Sequence, residues 1–413
     1  MRHLALIALL AAGALSAQDC SIPFTEPLFE VQVESGVWYG NATRYNGGTD
    51  SLRLNLYKPV GDGQTERPLV VLIHGGGFYE GNRNDFNAMA QGLAANGWAA
   101  ATISYRLGFY GSWLFGPPYP HDPYEVRRAI YRAMQDAKGA IRFLKGRHEQ
   151  DSTSTSAVFV LGGSAGAITA LHAAYLDRPE EKPNNCGAIG DVQHIFNFYP
   201  RPDLGPVDGE LNQNGHDASV LGVINLYGAL MDTSYVESAG DPALFSYHQT
   251  GDPVVGCGVQ QPYWGIGLGI PDNNPWLYGS CAIDARMQHL GFTPQRYRFH
   301  LHQGNEHAVH DQTGVMADAV LWMRQLICDI TTGTAPDGNI APARLAPNPA
   351  QAATTLALPG TSPATYTLLD LQGRTVGHGS ITGGQAVINL GHLRPGTYLV
   401  RTGDGGVLPL VKE

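Results

Sequence analysis

Apolar residues run along this chain in two rhythms, and their alternation sets the architecture. Short apolar-rich runs at Leu69–Ile73, Trp98–Tyr105, Ala157–Leu161, Val220–Tyr227, Ala243–His248 and Arg296–Leu301 read as strands. Between them the spacing turns helical. It does so around Phe86–Ala95 and in Tyr124–Gly146, where Val126, Ile130, Met134, Ala137 and Ile141 recur on one face. The small-residue segment Ala165–Tyr175, Cys281–Leu290 and Val309–Ile327 follow the same pattern. Strands alternating with helices over this length predict an α/β fold, a mostly parallel sheet covered on both faces. Ahead of them, Phe29–Trp38 and the alternating Leu52, Leu54 and Leu56 predict an antiparallel hairpin that opens the fold.

The rhythm changes after Cys328. Thr331 to Arg344 is rich in Thr, Ala, Pro and Gly and reads as a linker. Beyond it, Thr354–Leu358, Thr365–Leu371, Ala386–Leu390 and Thr397–Arg401 are short strand-like runs separated by glycines, which predicts a small all-β sandwich over 345–413. No internal repeat stands out. At the other end, Met1-Arg2-His3, the apolar run Leu4 to Leu15 and Ser16-Ala17 have the form of a secretory signal peptide, too short for a membrane span. Cleavage is expected after Ala17, with Ser16 as the alternative. Gln18-Asp19 before Cys20 does not form a lipoprotein box, so no lipid anchor is expected. The expected layout is a signal peptide at 1–17, an α/β unit at 18–330, a linker at 331–344 and the sandwich at 345–413.

Composition narrows the partners. Charged residues are 15% of the chain and the formal net charge is −10, which argues against nucleic acid or an anionic membrane as the main partner. The five cysteines, Cys20, Cys186, Cys257, Cys281 and Cys328, are expected in an oxidising compartment where pairs close. An odd number leaves one thiol free or paired outside the chain.

Two glycine-rich turns carry the candidate chemistry. Gly162-Gly163-Ser164-Ala165-Gly166 joins the strand ending at Leu161 to the helical segment from Ala165, and a serine at such a turn is forced into an exposed, strained position. With 52 glycines in the chain, the pentapeptide alone is a weak signal. The second turn, His74-Gly75-Gly76-Gly77-Phe78, directly follows the strand Leu69–Ile73 and can aim backbone N–H groups at a developing oxyanion. The competing reading, a nucleotide-binding βα turn, lacks both a Gly-x-Gly-x-x-Gly and a Lys-Ser/Thr pattern.

Taken together, the hairpin, His74 to Phe78, Ser104-Tyr105-Arg106-Leu107-Gly108 and Gly162 to Gly166 resemble the α/β-hydrolase superfamily. Within it they are similar to carboxylesterases and feruloyl- or acetyl-esterase-like enzymes. The resemblance covers about Phe29 to Cys328 and implies an eight-stranded sheet, a Ser-His-Asp triad and neither cofactor nor metal. The last segment resembles the C-terminal sorting domain of the type IX secretion system, through Ala346-Pro347-Asn348-Pro349-Ala350, Leu369 to Arg374 and Leu393 to Tyr398. That implies export through the periplasm and across the outer membrane, with the type IX machinery as partner, and a secreted or surface location. The alternative for this segment is a carbohydrate-binding or immunoglobulin-like sandwich.

The superfamily's chain order, serine, acid, histidine, places the remaining residues. Ser164 is the implied nucleophile. Asp252, in the loop after Ala243–His248, is the implied acid, with Asp232 as runner-up and a helix cap as its plain reading. His307, three residues past Gly304, is the implied base, while His302 and His310 are expected in the loop or at a helix start, solvated or donating to backbone. The N–H groups of Gly76, Gly77 and Ala165 match the oxyanion hole, and His74 the histidine that braces its turn. Aromatics near these turns and in the insertions Leu107–Val126 and Val255–Ser280 are candidate substrate contacts: Phe78, Tyr79, Trp113, Trp264 and Trp276. Local loop packing is their plain alternative. Pro179 to Ala218 sits where the fold carries lid elements.

Cys257 and Cys281 flank one of these insertions and are expected to pair. The implied activity is carboxylic-ester hydrolysis through an acyl-enzyme, on acyl or feruloyl esters of plant polysaccharide. The rivals are a serine peptidase and a non-catalytic surface adhesion module of cholinesterase-like fold.

Overall fold

A computed structural model describes residues 20–112, 114–267, 269–329, 344–346, 348, 350–358, 364–370, 374–402 and 407–412. The expected signal peptide and nearly all of the expected linker lie outside these residues. The chain divides into two compact units, Met1–Thr331 and Thr332–Glu413.

The first unit is built on an eight-stranded sheet. Its strands are β1 Glu30–Thr43, β2 Thr49–Val60, β3 Arg67–Ile73, β4 Ala99–Ile103, β5 Thr153–Gly163, β6 Gly222–Leu226, β7 Ala243–Gln249 and β8 Tyr297–His302. They lie in the order β1-β2-β4-β3-β5-β6-β7-β8. The first hairpin is antiparallel and β2 also runs antiparallel to β4; every later pairing is parallel. This is the expected α/β-hydrolase fold. The helices that cover it are α1 Asn87–Ala95, α2 Pro123–Gly146, α3 Ala165–Tyr175, α4 Ser280–His289 and α5 Gln312–Asp329.

The two-residue period of a strand explains why both faces are filled. On β3, Leu69, Val71 and Ile73 enter one core while Val70 and Leu72 enter the other; on β5, Val158 and Val160 oppose Phe159 and Leu161 in the same way. The first core takes Ile130 and Met134 of α2 and Leu171 of α3. The second takes Leu93 of α1 and Trp322 and Met323 of α5. Strands buried on both sides carry no polar alternation, which is why their sequence reads as continuous apolar runs. Helix α2 starts sharply because the Asp122 carboxylate accepts the N–H groups of Tyr124 and Glu125 at 2.8 and 3.3 Å, with Pro123 in the first turn.

The insertions hold structure that the sequence patterns did not reveal. Gly111–Ser112 pairs with Gly116–Pro120, and Ile189–His194 with Asn197–Arg201. Ala229–Leu230, Leu277–Gly279 and Val259–Gln260 form a three-stranded sheet beside the main one. Cys257 and Cys281 are joined, as expected, and bracket the last two of these strands. Cys20 is bonded to Cys328, and Cys186 is a buried free thiol. Replacing both Cys257 and Cys281 by serine is expected to cost about 3 kcal/mol in urea unfolding, the loop entropy of a bridge of this span. An unchanged unfolding midpoint would show that the bridge constrains nothing.

The second unit has two sheets. Arg344–Ala346, Ala353–Ala357 and Gln385–Asn389 form one; Thr375–Ile381, Ala364–Leu369, Gly396–Thr402 and Val407–Lys412 form the other. Leu356 and Ile388 from the first sheet share a core with Leu368, Ile381, Val400 and Leu410 from the second. That makes the expected small sandwich.

Candidate active site

Ser164 stands alone between the end of β5 and the start of α3, with φ 56° and ψ −125°. A side chain in this region is strained, so the surroundings must impose it. They do so from both sides. The Ser164 N–H donates to the carbonyl of Leu226 at 3.0 Å, and its own carbonyl accepts from Ile168 at 2.9 Å. The flanking glycines are steric necessities: a Cβ on Gly162 would lie 2.2 Å from the carbonyl carbon of Gly166, and one on Gly166 would lie 2.0 Å from the carbonyl oxygen of Ile73.

Asp252 and His307 come from the loops after β7 and β8, and the structure brings both to Ser164. His307 Nε2 is 2.7 Å from Ser164 Oγ, and His307 Nδ1 is 2.7 Å from Asp252 Oδ2. The other Asp252 oxygen accepts the N–H groups of Val254 and Val255 at 2.8 and 3.0 Å. Burial pushes this carboxyl up, but hydrogen bonds from His248 and His307 outweigh it and hold the group at about 2. Asp252 is therefore ionised whenever the protein is folded at neutral pH.

The two loops are tied to each other. Thr250 N–H donates to the His302 carbonyl at 3.0 Å and Gly251 N–H to the Gly304 carbonyl at 2.8 Å. Gln249 reaches across from the end of β7, accepting the N–H of Glu306 at 2.9 Å and donating to the carbonyl of Ala308 at 2.9 Å. His307 is thereby pinned through both neighbours. The Tyr227 ring packs edge-on against its imidazole at 4.8 Å.

Behind Asp252 lies a buried polar chain. His248 Nε2 is 2.8 Å from the Val255 carbonyl, which can only accept, so this nitrogen carries the proton and Nδ1 accepts from Ser280 Oγ at 2.8 Å. His248 Nε2 also lies 3.5 Å from Asp252 Oδ2. Sequence reasoning missed Gln249, Tyr227 and His248, since a polar residue at the end of a core strand shows its purpose only through what packs beside it.

The runner-up residues are placed elsewhere. Asp232 is exposed and caps a short helical turn, accepting from Ser234 N–H at 2.8 Å. His302 and His310 stack on each other at 3.6 Å, and His310 Nδ1 lies 2.9 Å from the Tyr247 hydroxyl.

The glycine turn after β3 faces Ser164. Gly77 and Ala165 line the same cavity as Ser164, and a Cβ on Gly75 would stand 3.4 Å from the Ser164 Cβ. Gly76 has φ 105°, and a side chain there would strike the Glu80 carbonyl at 2.2 Å. Among the described residues no acceptor engages the N–H of Gly76 or Gly77, and Ala165, first in α3, has no intrahelical acceptor for its own. His74 is buried, which holds its imidazole below its usual range and neutral. Its Nδ1 donates to the Gly75 carbonyl at 2.7 Å, and its ring stacks on Tyr105 at 4.4 Å. The Tyr105 hydroxyl donates to the His74 carbonyl at 2.9 Å, so ring and hydroxyl together fix the turn.

The aromatic candidates divide. Phe78 is buried and lines the cavity beside Ser164, joined there by Tyr263 from the second insertion. Tyr79 hydrogen-bonds Glu80 at 2.9 Å and covers Gly77 without lining the cavity. Trp264 and Trp276 are 44% and 56% exposed and also lie outside the cavity lining. Trp264 Nε1 donates to the Asp252 backbone carbonyl at 2.7 Å, so part of its ring supports the acid loop. Trp113 lies outside the described residues.

Comparison with known proteins places this chain. Residues 30–120 match the family model of the Carboxylesterase family, residues 124–261 that of BD-FAE, and residues 344–408 that of the Secretion system C-terminal sorting domain. The neuroligin-like protein glit-1 of Caenorhabditis elegans is 33% identical over 122 residues, which are 29% of this chain and 15% of that protein. Carboxylesterase 1C of Mus musculus is 31% identical over 121 residues, 29% of this chain and 20% of that protein. The chain thus spans a fifth or less of the length of these curated relatives. Among solved structures, a truncated carbohydrate esterase from gut microbiota aligns with 73% of this chain and 98% of its own at 15% identity and a TM-score of 0.45. Native esterase 2 of Thermogutta terrifontis aligns with 75% and 95% at 16% identity and a TM-score of 0.44. The Carboxylesterase match covers β1 to β4 and the BD-FAE match β5 to β7, each over less than half of the chain, so this chain has the α/β-hydrolase fold, with a first unit similar to these esterase families and a second similar to the secretion system C-terminal sorting domain.

Proposed function

We propose that the protein is a secreted serine carboxylic-ester hydrolase in which Ser164 is the nucleophile, His307 the base and Asp252 the acid. The observation that supports this most is the unbroken line of two 2.7 Å contacts from Asp252 through His307 to Ser164 Oγ. A serine hydroxyl attacks a carbonyl only when a positioned base takes its proton. His307 Nε2 is at that distance, and the ionised Asp252 holds the proton on Nδ1 and stabilises the imidazolium that forms. The carbonyl oxygen becomes an oxyanion against the N–H groups of Gly76, Gly77 and Ala165. Collapse of this intermediate transfers the proton from His307 to the leaving alcohol and leaves the acyl group on Ser164. Water, deprotonated by the same histidine, then releases the acid and restores Ser164.

A surface adhesion module of the same fold needs none of this alignment, and the three groups in register favour catalysis. A serine peptidase would use the same line of groups, so peptide amides serve as the control substrate. Hydrolysis of a short aryl ester by the purified protein, with covalent labelling by a fluorophosphonate, tests the reading. Neither reaction occurring would remove it. In this reading the natural substrate is an acyl or feruloyl ester carried on plant polysaccharide, and the exposed Trp264 and Trp276 are its candidate contacts with sugar rings.

Residues 1–17 act as the export signal, 18–330 as the hydrolase, 331–344 as the linker and 345–413 as the segment read by the type IX machinery. No helix among the described residues is long and apolar enough to cross a membrane. Removing 345–413 is expected to leave ester hydrolysis intact while the protein accumulates in the periplasm of its host. Normal export of the truncated chain with loss of polysaccharide binding would instead make the sandwich a carbohydrate-binding module.

A further inference from the structure

Asp252 is held by more than its own loop. Leu244, Ser246 and His248 alternate onto the face of β7 that looks into the first core, where Leu230, Ile283 and Met287 are apolar. Asn225, Ser246, His248 and Ser280 are nonetheless fully buried. Polar side chains in such a place destabilise the fold unless each is paired.

The pairing here runs in one direction. The Gly228 N–H donates to Asn225 Oδ1 at 2.8 Å, which fixes the amide and makes its nitrogen the donor to Ser246 Oγ and Ser280 Oγ, both at 3.0 Å. Ser280 Oγ, already accepting, turns its own proton to His248 Nδ1 at 2.8 Å. At the far end the Val255 carbonyl accepts from His248 Nε2 at 2.8 Å. A backbone donor at one end and a backbone acceptor at the other leave the imidazole one arrangement, with Nδ1 accepting and the proton on Nε2. That proton faces the acid. Val255, whose carbonyl takes it, gives its own N–H to Asp252 Oδ1 at 3.0 Å, and Asp252 Oδ2, the oxygen that meets His307, lies 3.5 Å from the same Nε2. An apolar core needs none of these four side chains, and their hydrogen bonds lead to the back of Asp252.

Within the ester-hydrolase reading, on which this rests, we infer that His248 is a positioning residue for the reaction, acting on Ser164 through Asp252 and His307, and that Asn225 and Ser280 impose the tautomer it needs. With the proton on Nδ1 instead, a bare Nε2 would face both the Val255 carbonyl and the Asp252 carboxylate. Repulsion would then turn the carboxylate out of line with His307, and a small misplacement of a catalytic group is enough to slow the chemical step.

The full chain is assayed on p-nitrophenyl acetate. His248→Phe keeps an aromatic ring in place but removes the donor, and kcat is expected to fall about 30-fold with KM unchanged, the size of one hydrogen bond to a charged group. His248→Gln, whose amide nitrogen stands near the place of Nε2, should recover most of that loss. In an Asp252→Asn background, His248→Phe should change kcat by no more than about twofold, because a residue that works through the carboxylate has nothing left to act on. A histidine that merely supports the fold would lower kcat by the same factor in both backgrounds. If His248→Phe does not fold, Ser280→Ala, which leaves the imidazole in place, goes through the same cycle with an expected loss of about tenfold. Equal losses in the two backgrounds, no recovery by His248→Gln, or full kcat in His248→Phe would overturn the inference and leave the esterase reading standing. No turnover of any ester by the unsubstituted protein would overturn both.

Discussion

Ser164→Ala should lose hydrolysis of a short aryl ester by about a million-fold in kcat, as removal of the nucleophile does in serine hydrolases whose three groups act as one unit. The structure explains why such a loss reads cleanly. Alanine meets the same backbone demand as serine at φ 56°, and the Leu226 and Ile168 hydrogen bonds that hold the turn are made by main-chain atoms. The fold, the cavity and the oxyanion-hole N–H groups stay in place, and only the hydroxyl 2.7 Å from His307 goes. What remains is the residual rate that the oxyanion hole and substrate binding supply on their own. Labelling by a fluorophosphonate must vanish with activity. A variant that still takes the label would move the nucleophile to another residue.

Asp252→Asn is the sharper experiment, because its effect depends on a proton. If the amide oxygen keeps the Val254 and Val255 N–H groups, the NH₂ group is presented to His307 Nδ1 in place of a carboxylate oxygen. His307 must then accept at Nδ1 and carry its proton on Nε2, the atom that should receive the proton of Ser164. A loss of about 10,000-fold in kcat is expected, with the fold kept. Asp232→Asn should do nothing comparable, since asparagine caps a helical turn about as well as aspartate. A dead Asp232 variant beside an active Asp252 variant would reverse the assignment of the acid.

The same substitution has a signature in stability. The folded protein holds the Asp252 carboxyl at about 2, against an ordinary value of 3.8. A depressed carboxyl contributes stability above its unfolded pKa and loses it as the pH falls through the folded one. Stability should therefore drop by about 2 kcal/mol between roughly pH 4 and pH 2 on this group's account. Asp252→Asn should flatten that part of the curve. An unchanged acid limb in the variant would mean that other carboxyls carry it.

The parts of this site legible in the sequence are those in which backbone geometry dictates residue type. Gly162, Gly166 and Gly76 have no room for a side chain, so their glycines announce the turns. The buried strands announce themselves because both faces of β3 and β5 are packed. What stayed hidden depends on distant segments meeting. Gln249 and His248 look like ordinary strand residues until the His307 loop and Ser280 are placed against them. Trp264 reads as a substrate contact in sequence, yet its indole nitrogen is spent on the Asp252 carbonyl. The cavity beside Ser164 was illegible too, because Val126, Ile168 and Leu277, which line it, lie far apart in the chain.

The bond between Cys20 and Cys328 gives the hydrolase unit a mechanical property. The two residues are 308 positions apart, yet their Cα atoms are 5.7 Å from each other, and they lie at the two ends of the described part of the unit. A tension applied between those ends passes through one covalent link instead of through the hydrogen bonds of the main sheet. Neither the opening hairpin nor α5 has to peel away when the chain is drawn by its tail. A protease that cuts the chain beyond Cys328 therefore leaves the ring closed by this bond intact.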